Sequence, residues 1–498
     1  MNVNPITRLD YPDPDVIRVE DTYYMVSTTM HFMPGCEILQ SFDLVHWEHV
    51  TYVYETLDHT DAQQLKSGQN IYGQGMWAAS LRYHEGRFYI CFVANDTRKT
   101  YLYTSEKIDG PWKKQLIEGF YHDGSLLFDE DGRNYIVYGN DEIWITELNE
   151  DLTAPKKDGL HRLLVSDHKN PELGYEGSHI QKINGYYYIF LVHSLRDRWM
   201  LTEACFYSDS LEGEFTGGDV LCDDRGYCGQ GVAQGGIVDT PDGKWYAILF
   251  QDSGAVGRIP ILVPVTWKDH FPFFGQNGHV PEEIEVHSTR PGYIYQPLVG
   301  SDDFCNGLLP RWQFNHDPDP RYYHLDALQG TYTITTREVC TELTQAVNTL
   351  TQRMSYPSCA AEVTVDASAL KEGDVAGLCA LQGCYAAVGI TKHHGKYEVL
   401  MLDKKEDGIL DMTEGTVVES HQMDFRLEAD FCNMKDEARC YYRVNKGDWL
   451  PIGTVHKLYF KLDHFTGCRF GLFCYAAEET GGSACFRDFK YYDVDEIS

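Results

Sequence analysis

Five segments of this chain repeat one pattern, an apolar strand, a tight turn and a second strand rich in aromatic and β-branched residues. The first segment reads PDVIRVEDTYYMV and the last reads GGIVDTPDGKWYAILF. The residue at one equivalent point of each repeat, at the start of its first strand, varies among four types. These five register positions are Asp13, Trp77, Asp123, Glu176 and Gln234. Few architectures can accommodate such a repeat, so it restricts the fold more than composition does.

The spacing of the repeats predicts a β-propeller. Each second strand carries a tyrosine, and the tyrosines recur at roughly 45 to 65 residues, a period typical of propellers and other repeat arrays. They are Tyr24, Tyr89, Tyr135, Tyr188 and Tyr246. Equivalent positions in a propeller are related by rotation about one axis. If the pattern lies on the innermost strand, the five register positions converge near that axis.

The remainder of the chain predicts a second domain. At 498 residues the chain is too long for one hydrophobic core. The repeat fades after the fifth segment, where Gly and Pro become frequent, and short strands at regular spacing follow from residue 301 onward. Such strands, without helical periodicity, indicate a β-sandwich. We therefore predict an all-β protein with a five-bladed propeller over residues 1–295 and a sandwich over residues 301–498.

The charge of the chain excludes two classes of partner. The formal net charge is −33, so nucleic acid and anionic membranes would be repelled. No stretch approaches the roughly 18 apolar residues that a membrane span requires. A neutral substrate such as a sugar is compatible with this charge.

The fifteen cysteines form no CxxC pair, so the sequence indicates neither a zinc site nor a redox motif. Most lie singly in strand-like segments and are interpreted as small buried hydrophobic residues. The N-terminal segment lacks the basic and apolar regions of a secretory signal peptide. We therefore expect a cytoplasmic protein.

Three of the register positions are carboxylic acids, and that number suits acetal hydrolysis. The reaction needs one protonated carboxyl to assist the leaving oxygen and one carboxylate to act as base or nucleophile. A third carboxylate can tune and orient the acid. Asp13, Asp123 and Glu176 supply these groups, and the longer side chain of Glu176 suits the proton donor. Two alternatives are turn-forming Asp residues and a cation site, although no DxDxDG-like loop supports a cation site.

Around these acids the chain resembles glycoside hydrolase family 43. The resemblance rests on Asn4-Pro5 followed by YPDP, on YHDGSLLF and GYEGSH around the second and third acids, and on a further set of motifs. The further motifs are the segment Ile38 to Trp47, WAASL beginning at Trp77, and GRIPILVPVTW beginning at Gly257. Together these motifs cover nearly the whole chain, since the C-terminal part resembles the concanavalin-like β-sandwich found in xylosidase and arabinofuranosidase branches.

The resemblance implies a role for each acid. Asp13 corresponds to the general base, Asp123 to the modulating carboxylate and Glu176 to the general acid of an inverting hydrolase. Inversion predicts roughly 6.5 to 9.5 Å between the carboxyl groups of the base and the acid. His122 and His179 flank the acid motifs and are assigned no catalytic role.

The resemblance also implies substrate-binding residues. Arg258 matches an arginine that pairs with the base, Phe32 lies in a loop that walls the pocket, and Trp77 offers a flat face to a sugar ring. Gln234 stands where many members have a histidine that organises a central cation or water. An amide oxygen can accept from water or a metal but cannot titrate near neutral pH, so the resemblance does not establish a central calcium, which is kept as an alternative, and no cofactor is required.

The function expected from these features is exo-acting release of a pentose from xylo-oligosaccharides or arabinoxylan-derived substrates. β-Xylosidase activity is favoured, and α-L-arabinofuranosidase activity is the alternative. A non-catalytic carbohydrate-binding propeller is the alternative from another class, although lectin propellers tend to repeat one residue set in every blade. Assembly into a homo-oligomer is left open.

Overall fold

The N-terminal part of the chain forms five four-stranded antiparallel sheets, which confirms the predicted five-bladed propeller. The computed structural model describes residues 3–461 and 464–493. Its strands up to the end of the propeller are β1 (Asp15–Val19), β2 (Thr22–Val26), β3 (Phe32–Met33), β4 (Gly35–Ser41), β5 (Glu48–Tyr54), β6 (Met76–His84), β7 (Arg87–Ala94), β8 (Lys99–Ser105), β9 (Lys113–Ile117), β10 (Ser125–Phe128), β11 (Asn134–Asn140), β12 (Glu142–Leu148), β13 (His161–Ser166), β14 (Glu176–Ile183), β15 (Tyr186–Ser194), β16 (Leu201–Ser208), β17 (Thr216–Leu221), β18 (Val232–Asp239), β19 (Trp245–Asp252), β20 (Arg258–Lys268) and β21 (Phe271–Phe274).

Each blade begins at the propeller axis. Blade 1 is β1, β2, β4 and β5, and the next sixteen strands after β5 form blades 2 to 5 in chain order. The innermost strands are therefore β1, β6, β10, β14 and β18, as the register predicted. An apolar cluster fills each gap between neighbouring blades.

The C-terminal part forms a β-sandwich, also as predicted. Its strands are β22 (Gln313–Asn315), β23 (Tyr323–Asp326), β24 (Thr331–Thr335), β25 (Leu350–Arg353), β26 (Ser358–Asp366), β27 (Asp374–Leu381), β28 (Tyr385–His393), β29 (Lys396–Lys404), β30 (Leu410–Met412), β31 (Thr416–Val418), β32 (Gln422–Asp430), β33 (Glu437–Val444), β34 (Leu450–Lys457), β35 (Arg469–Ala476) and β36 (Ser483–Asp493). A nine-stranded and a seven-stranded sheet enclose one apolar core. The helices of the described residues are 3₁₀ turns at Lys66–Gly68, Gly254–Val256, Leu343–Gln345 and Cys432–Met434, and none is long and apolar enough to span a membrane.

One short strand crosses between the two domains. β3 lies within the propeller sequence, but it pairs with β22 of the sandwich, Phe32 opposite Asn315 and Met33 opposite Phe314. The segment between blades and sandwich, from the end of β21 to the start of β22, contains the predicted boundary near residue 300. The propeller therefore contributes an edge strand to the sandwich sheet and holds it in place.

The ring of blades closes through the N-terminal segment. The Asn4 side chain exchanges two hydrogen bonds with the backbone of Leu262 in β20, each 2.8 Å long. The backbone N–H of Tyr11 donates to the carbonyl of Arg258 at 2.9 Å. Blade 5 thereby holds the chain that leads into blade 1, with Asp13 between the two.

A buried ion pair at the axis connects the innermost strands. Nη1 of Arg82 in β6 donates to Oδ2 of Asp15 in β1 at 2.7 Å, and the backbone N–H of Leu81 donates to the same oxygen at 2.7 Å. Nδ1 of His179 in β14 lies 3.0 Å from Oδ1. Burial would raise the pKa of Asp15, but Arg82 and His179 hold this pKa at about 2. The stabilisation is present above the usual carboxyl pKa and is lost as the pH falls towards 2.

Arg82 extends these contacts to blades 3 and 4. Its other donors bind Oγ of Ser125 at 2.7 Å, the carbonyl of Leu126 at 2.9 Å and the carbonyl of Ile180 at 3.2 Å. Blade 5 approaches the Asp15 carboxylate at Gly236. A side chain at this position would not fit, because its Cβ would lie 2.7 Å from Oδ1 of Asp15. We call Asp15, Arg82 and their partners the axial hub, which contacts all five blades.

The Arg82→Met variant should lose about 3 to 5 kcal/mol of unfolding free energy, since the buried Asp15 carboxylate is left without its cation. Arg133→Met is the matched control, because the Arg133–Asp131 pair has side chains 45% and 44% exposed. It should change stability by less than about 1 kcal/mol. Urea unfolding followed by tryptophan fluorescence measures both. Equal losses in the two variants would contradict a structural role for the hub.

Candidate active site

All five register positions line one cavity of about 250 Å³ at the axis of the propeller. Asp13, Asp123 and Gln234 have positive φ angles of 51°, 49° and 56°. The pairing of β6 with β7 shifts register just after Met76, and that of β14 with β15 shifts just after Glu176. Left-handed residues and bulges redirect side chains at strand ends. A local backbone distortion, either a left-handed residue or a register shift, thus accompanies the register position in every blade.

A larger cavity of about 430 Å³ lies at the opposite ends of the innermost strands. Its three Arg and Lys cations are already paired, Arg18 with Asp239 at 2.5 Å, Lys182 with Asp129 at 2.6 Å and Arg82 with Asp15 at 2.7 Å. It brings no pair of unpaired carboxyl groups together. The chemistry that the sequence predicts therefore belongs to the smaller cavity.

Asp13 is buried and accepts two strong hydrogen bonds. Nη1 of Arg258 donates to Oδ1 at 2.7 Å, and Oγ1 of Thr28 donates to Oδ2 at 2.6 Å. Burial raises the pKa of Asp13, while Arg258 and Thr28 oppose that rise. A carboxylate held by two donors has fixed oxygens, which suits a group that must accept a proton from one water molecule.

Arg258 is itself fixed by its surroundings. Nε donates to Oδ1 of Asp252 at 3.1 Å. The guanidinium carbon lies 4.3 Å from the ring centre of Phe250 and 4.1 Å from that of Phe465. An arginine between two aromatic faces and two carboxylates has little conformational freedom. It holds a positive charge against Asp13.

Asp123 is also buried, and it contacts the segment that carries the third acid. Its Oδ2 accepts the backbone N–H of Gly177 at 2.8 Å. Burial raises the pKa of Asp123, and the neighbouring His122 opposes this rise. Because Gly177 follows Glu176 directly, Asp123 fixes the backbone from which Glu176 projects.

Glu176 is the more accessible acid, with a side chain that is 22% exposed. Nδ2 of Asn140 donates to its Oε2 at 2.6 Å, and Nε2 of His122 lies 3.3 Å from the same oxygen. Burial would lower the pKa of His122, but Asp123 and Glu176 raise it to about 9. Neither Asn140 nor His122 was predicted to act, although His122 lies inside a recognised motif.

The aromatic walls differ in part from those predicted. Trp77 lines the cavity, and its ring centre lies 5.5 Å from that of Phe465. Phe32 is not among the lining residues, because its strand pairs with the sandwich and its ring lies under Arg469, 3.5 Å from the guanidinium carbon. Phe465, a sandwich residue, forms a wall of the cavity. Sequence motifs could not indicate it, since it lies in the other domain.

Gln234 lies on the cavity, as its register position predicted. Its backbone N–H donates to Oε2 of Glu203 at 2.7 Å, and its side chain lies close against Gly177. Burial raises the pKa of Glu203 well above its usual range. A neutral carboxyl is a poor ligand for calcium, which prefers about six to eight oxygen donors.

One other group of side chains could suggest a metal ion. Among the described residues, His122, Asp123 and Glu176 offer ligand atoms within 4.8 Å of one another. The group supplies an imidazole and only two carboxyls, which does not match the oxygen donor set of calcium. Opposite charges and hydrogen bonds account for their proximity. The donors present do not favour a calcium site, and calcium stays a prediction.

Comparison with known proteins places these features in a family. The family model "Glycosyl hydrolases family 43" matches residues 3–272, and the model "Beta xylosidase C-terminal Concanavalin A-like domain" matches residues 301–492. A beta-xylosidase of Formosa agariphila is 26% identical over 99% of this chain and 89% of its own length. A xylosidase/arabinosidase of Butyrivibrio fibrisolvens is 23% identical over 99% of both chains.

A solved structure agrees with this assignment. A bifunctional GH43-CE protein of Bacteroides eggerthii is 42% identical and superposes with a TM-score of 0.92. The match covers 99% of this chain and 64% of that one, so the present chain spans about two thirds of the bifunctional protein. The likeness extends over both the propeller and the sandwich.

The Phe465→Ala variant should fold but lose activity, because it removes the wall that packs on Arg258 and Trp77. The loss of aromatic contacts predicts a fall in kcat/KM of about 2- to 10-fold. Phe273→Ala is the matched control, since Phe273 is 49% exposed on the outer strand of blade 5. Steady-state hydrolysis by folded variants tests this. Unchanged kcat/KM in Phe465→Ala would show that the sandwich does not shape the site.

Proposed function

Because this chain belongs to the glycosyl hydrolases of family 43, we propose that it is an exo-acting glycosidase that releases single pentoses with inversion of configuration. β-Xyloside hydrolysis is the favoured activity, on xylo-oligosaccharides or arabinoxylan-derived chains. The name beta-xylosidase, borne by the Formosa agariphila relative, supports this choice. The name xylosidase/arabinosidase of the Butyrivibrio fibrisolvens relative favours α-L-arabinofuranoside hydrolysis as the second candidate.

The observation that carries the proposal is the unequal environment of the three acids in one cavity. Asp13 is 3% exposed and paired with Arg258, whereas the side chain of Glu176 is 22% exposed and contacts two nitrogen donors. Two carboxyl groups in contrasting environments are the pattern expected of a base and an acid. The five register positions hold four different residue types, which also argues against a lectin with equivalent sugar sites.

In the proposed reaction, the carboxyl of Glu176 gives its proton to the glycosidic oxygen as the bond to the anomeric carbon breaks. Asp13 takes a proton from a water molecule whose oxygen bonds to that carbon from the opposite face. The cycle ends with Glu176 ionised and Asp13 protonated, and exchange with water restores both. No cofactor is needed for these proton transfers.

The remaining residues position the sugar and the acid. Asp123 fixes the backbone after Glu176, the positive charge of Arg258 favours the ionised form of Asp13, and Trp77 offers a face to the pentose ring. The cavity, about 250 Å³, is smaller than the roughly 300–1,000 Å³ of sites for drug-sized ligands. A cavity of this size favours one sugar unit and hence exo action.

We propose that the protein acts in the cytoplasm. All fifteen cysteines are free thiols, and four of them are exposed, which favours the reducing cytoplasm. A homo-oligomer is left open.

A kinetic comparison of aryl β-xyloside with aryl α-L-arabinofuranoside tests the substrate assignment. We expect the higher kcat/KM for the xyloside, and both activities should disappear in Asp13→Ala because one base serves both. Aryl β-glucoside is the matched control, since its extra hydroxymethyl group must fit the same small cavity. A higher kcat/KM for the arabinofuranoside would make the second candidate the main activity, and hydrolysis of neither pentoside would refute both.

A further inference from the structure

The imidazole of His122 lies between two of the three acids but has no part in the proton transfers described above. Its Nε2 is 3.3 Å from Oε2 of Glu176 and 3.5 Å from Oδ2 of Asp123. Its ring meets that of Trp77 edge to face, with centres 6.0 Å apart. The ring also lines the cavity. His122 therefore lies on the cavity wall in direct contact with the carboxyl of Glu176.

Two nitrogen donors converge on a single oxygen of Glu176. Nδ2 of Asn140 donates to Oε2 at 2.6 Å, and Nε2 of His122 approaches that oxygen from the loop before β10. Among the hydrogen bonds of the described residues, none reaches Oε1. A carboxyl oxygen that accepts two N–H donors cannot also hold the acidic proton facing them. The proton must then reside on Oε1.

The acids around His122 favour its charged form at neutral pH, in which Nε2 is a donor. The groups that act on its charge are Asp123, Glu176 and, more weakly, Asp13. Their combined effect exceeds that of burial and raises the pKa of His122 to about 9. An imidazolium donates from both ring nitrogens, so its Nε2 cannot act as an acceptor for the Glu176 proton.

We propose that His122 is a positioning residue for the general acid, and that its Nε2–H, together with the amide of Asn140, directs the proton of Glu176 to Oε1 for delivery to the leaving oxygen. The inference rests on the proposed function, since it assigns Glu176 as the acid.

The same contact favours the ionised acid after the proton has gone. When Glu176 loses its proton, the imidazolium faces a new negative charge, and a charge-assisted hydrogen bond is stronger than a neutral one. The interaction thus strengthens as proton transfer proceeds. Such a difference between the ground state and the transition state accelerates the chemical step.

The test compares His122→Phe, which removes both donor and charge, with His122→Gln, which keeps an N–H donor without charge. His161→Asn, on the outermost strand of the same blade, is the control for histidine substitution. Each variant is assayed on an alkyl β-xyloside, a poor leaving group, and on 2,4-dinitrophenyl β-xyloside, which needs no acid. Glu176→Ala is the reference for complete loss of acid catalysis.

We expect His122→Phe to lower kcat/KM on the alkyl xyloside by about 100-fold, within the range of general acid catalysis, and on the dinitrophenyl xyloside by less than about 5-fold. His122→Gln should lose less on the alkyl xyloside, because a donor to Oε2 remains. In both variants the basic limb of the pH profile of kcat/KM should move to higher pH, because without the neighbouring positive charge Glu176 stays protonated to a higher pH. A merely structural role would leave this limb in place.

Nitrogen NMR of the histidine side chains gives a readout that does not depend on turnover. The His122 signal, identified by its absence from the spectrum of His122→Phe, should titrate near pH 9 in the wild type and at a lower pH in Glu176→Ala. A midpoint near the ordinary value of about 6.5 would overturn the proposal, as would equal losses on the two substrates in His122→Phe. If Glu176→Ala itself loses both activities equally, the assignment of the acid fails, and this result is distinct from failure at His122 alone.

Discussion

The pairing of Asp15 with Arg82 at the propeller axis is the interaction on which the geometry of the candidate active site depends. Asp15 lies two residues after Asp13, and it is bound by Arg82, which follows Trp77 on the inner strand of blade 2. Arg82 also binds Ser125, two residues after Asp123. These contacts fix the starts of the innermost strands relative to one another. The separation between Asp13 and Glu176 is thus set by a buried charge network just below the cavity.

The charged side chains that line the cavity form a second network, in which two cations oppose the repulsion between the carboxyl groups. Three carboxyl groups close together would repel each other, but Arg258 pairs with Asp13 and His122 lies beside Asp123 and Glu176. Asp10, in the segment before β1, connects this network to the sandwich. Its carboxylate accepts the backbone N–H groups of Arg258 in blade 5 and of Gly467 in the sandwich, both at 2.8 Å. Gly467 lies in the segment that carries Phe465. Both domains therefore contribute to the candidate active site, and the pairing of β3 with β22 holds the two domains together.

Much of this could be predicted from local sequence, and the exceptions share one cause. The repeat identified the propeller and its inner strands, because strand, turn and strand patterns depend on neighbouring residues. It also placed five residues on one cavity, including Trp77 and Gln234. Phe32 was expected at the cavity, yet β3 pairs with a strand almost three hundred residues away. Asn140, Asp252 and Phe465 could not be predicted, because only tertiary packing brings them to the acids.

The central claim is that Asp13 and Glu176 act on opposite faces of the sugar, with water as the nucleophile. Proton NMR of the first turnovers of an aryl β-xyloside tests it most directly, because the anomer released is visible before mutarotation. The account predicts α-xylose as the first product. Early appearance of β-xylose would show retention and contradict the assignment of Asp13 as a base.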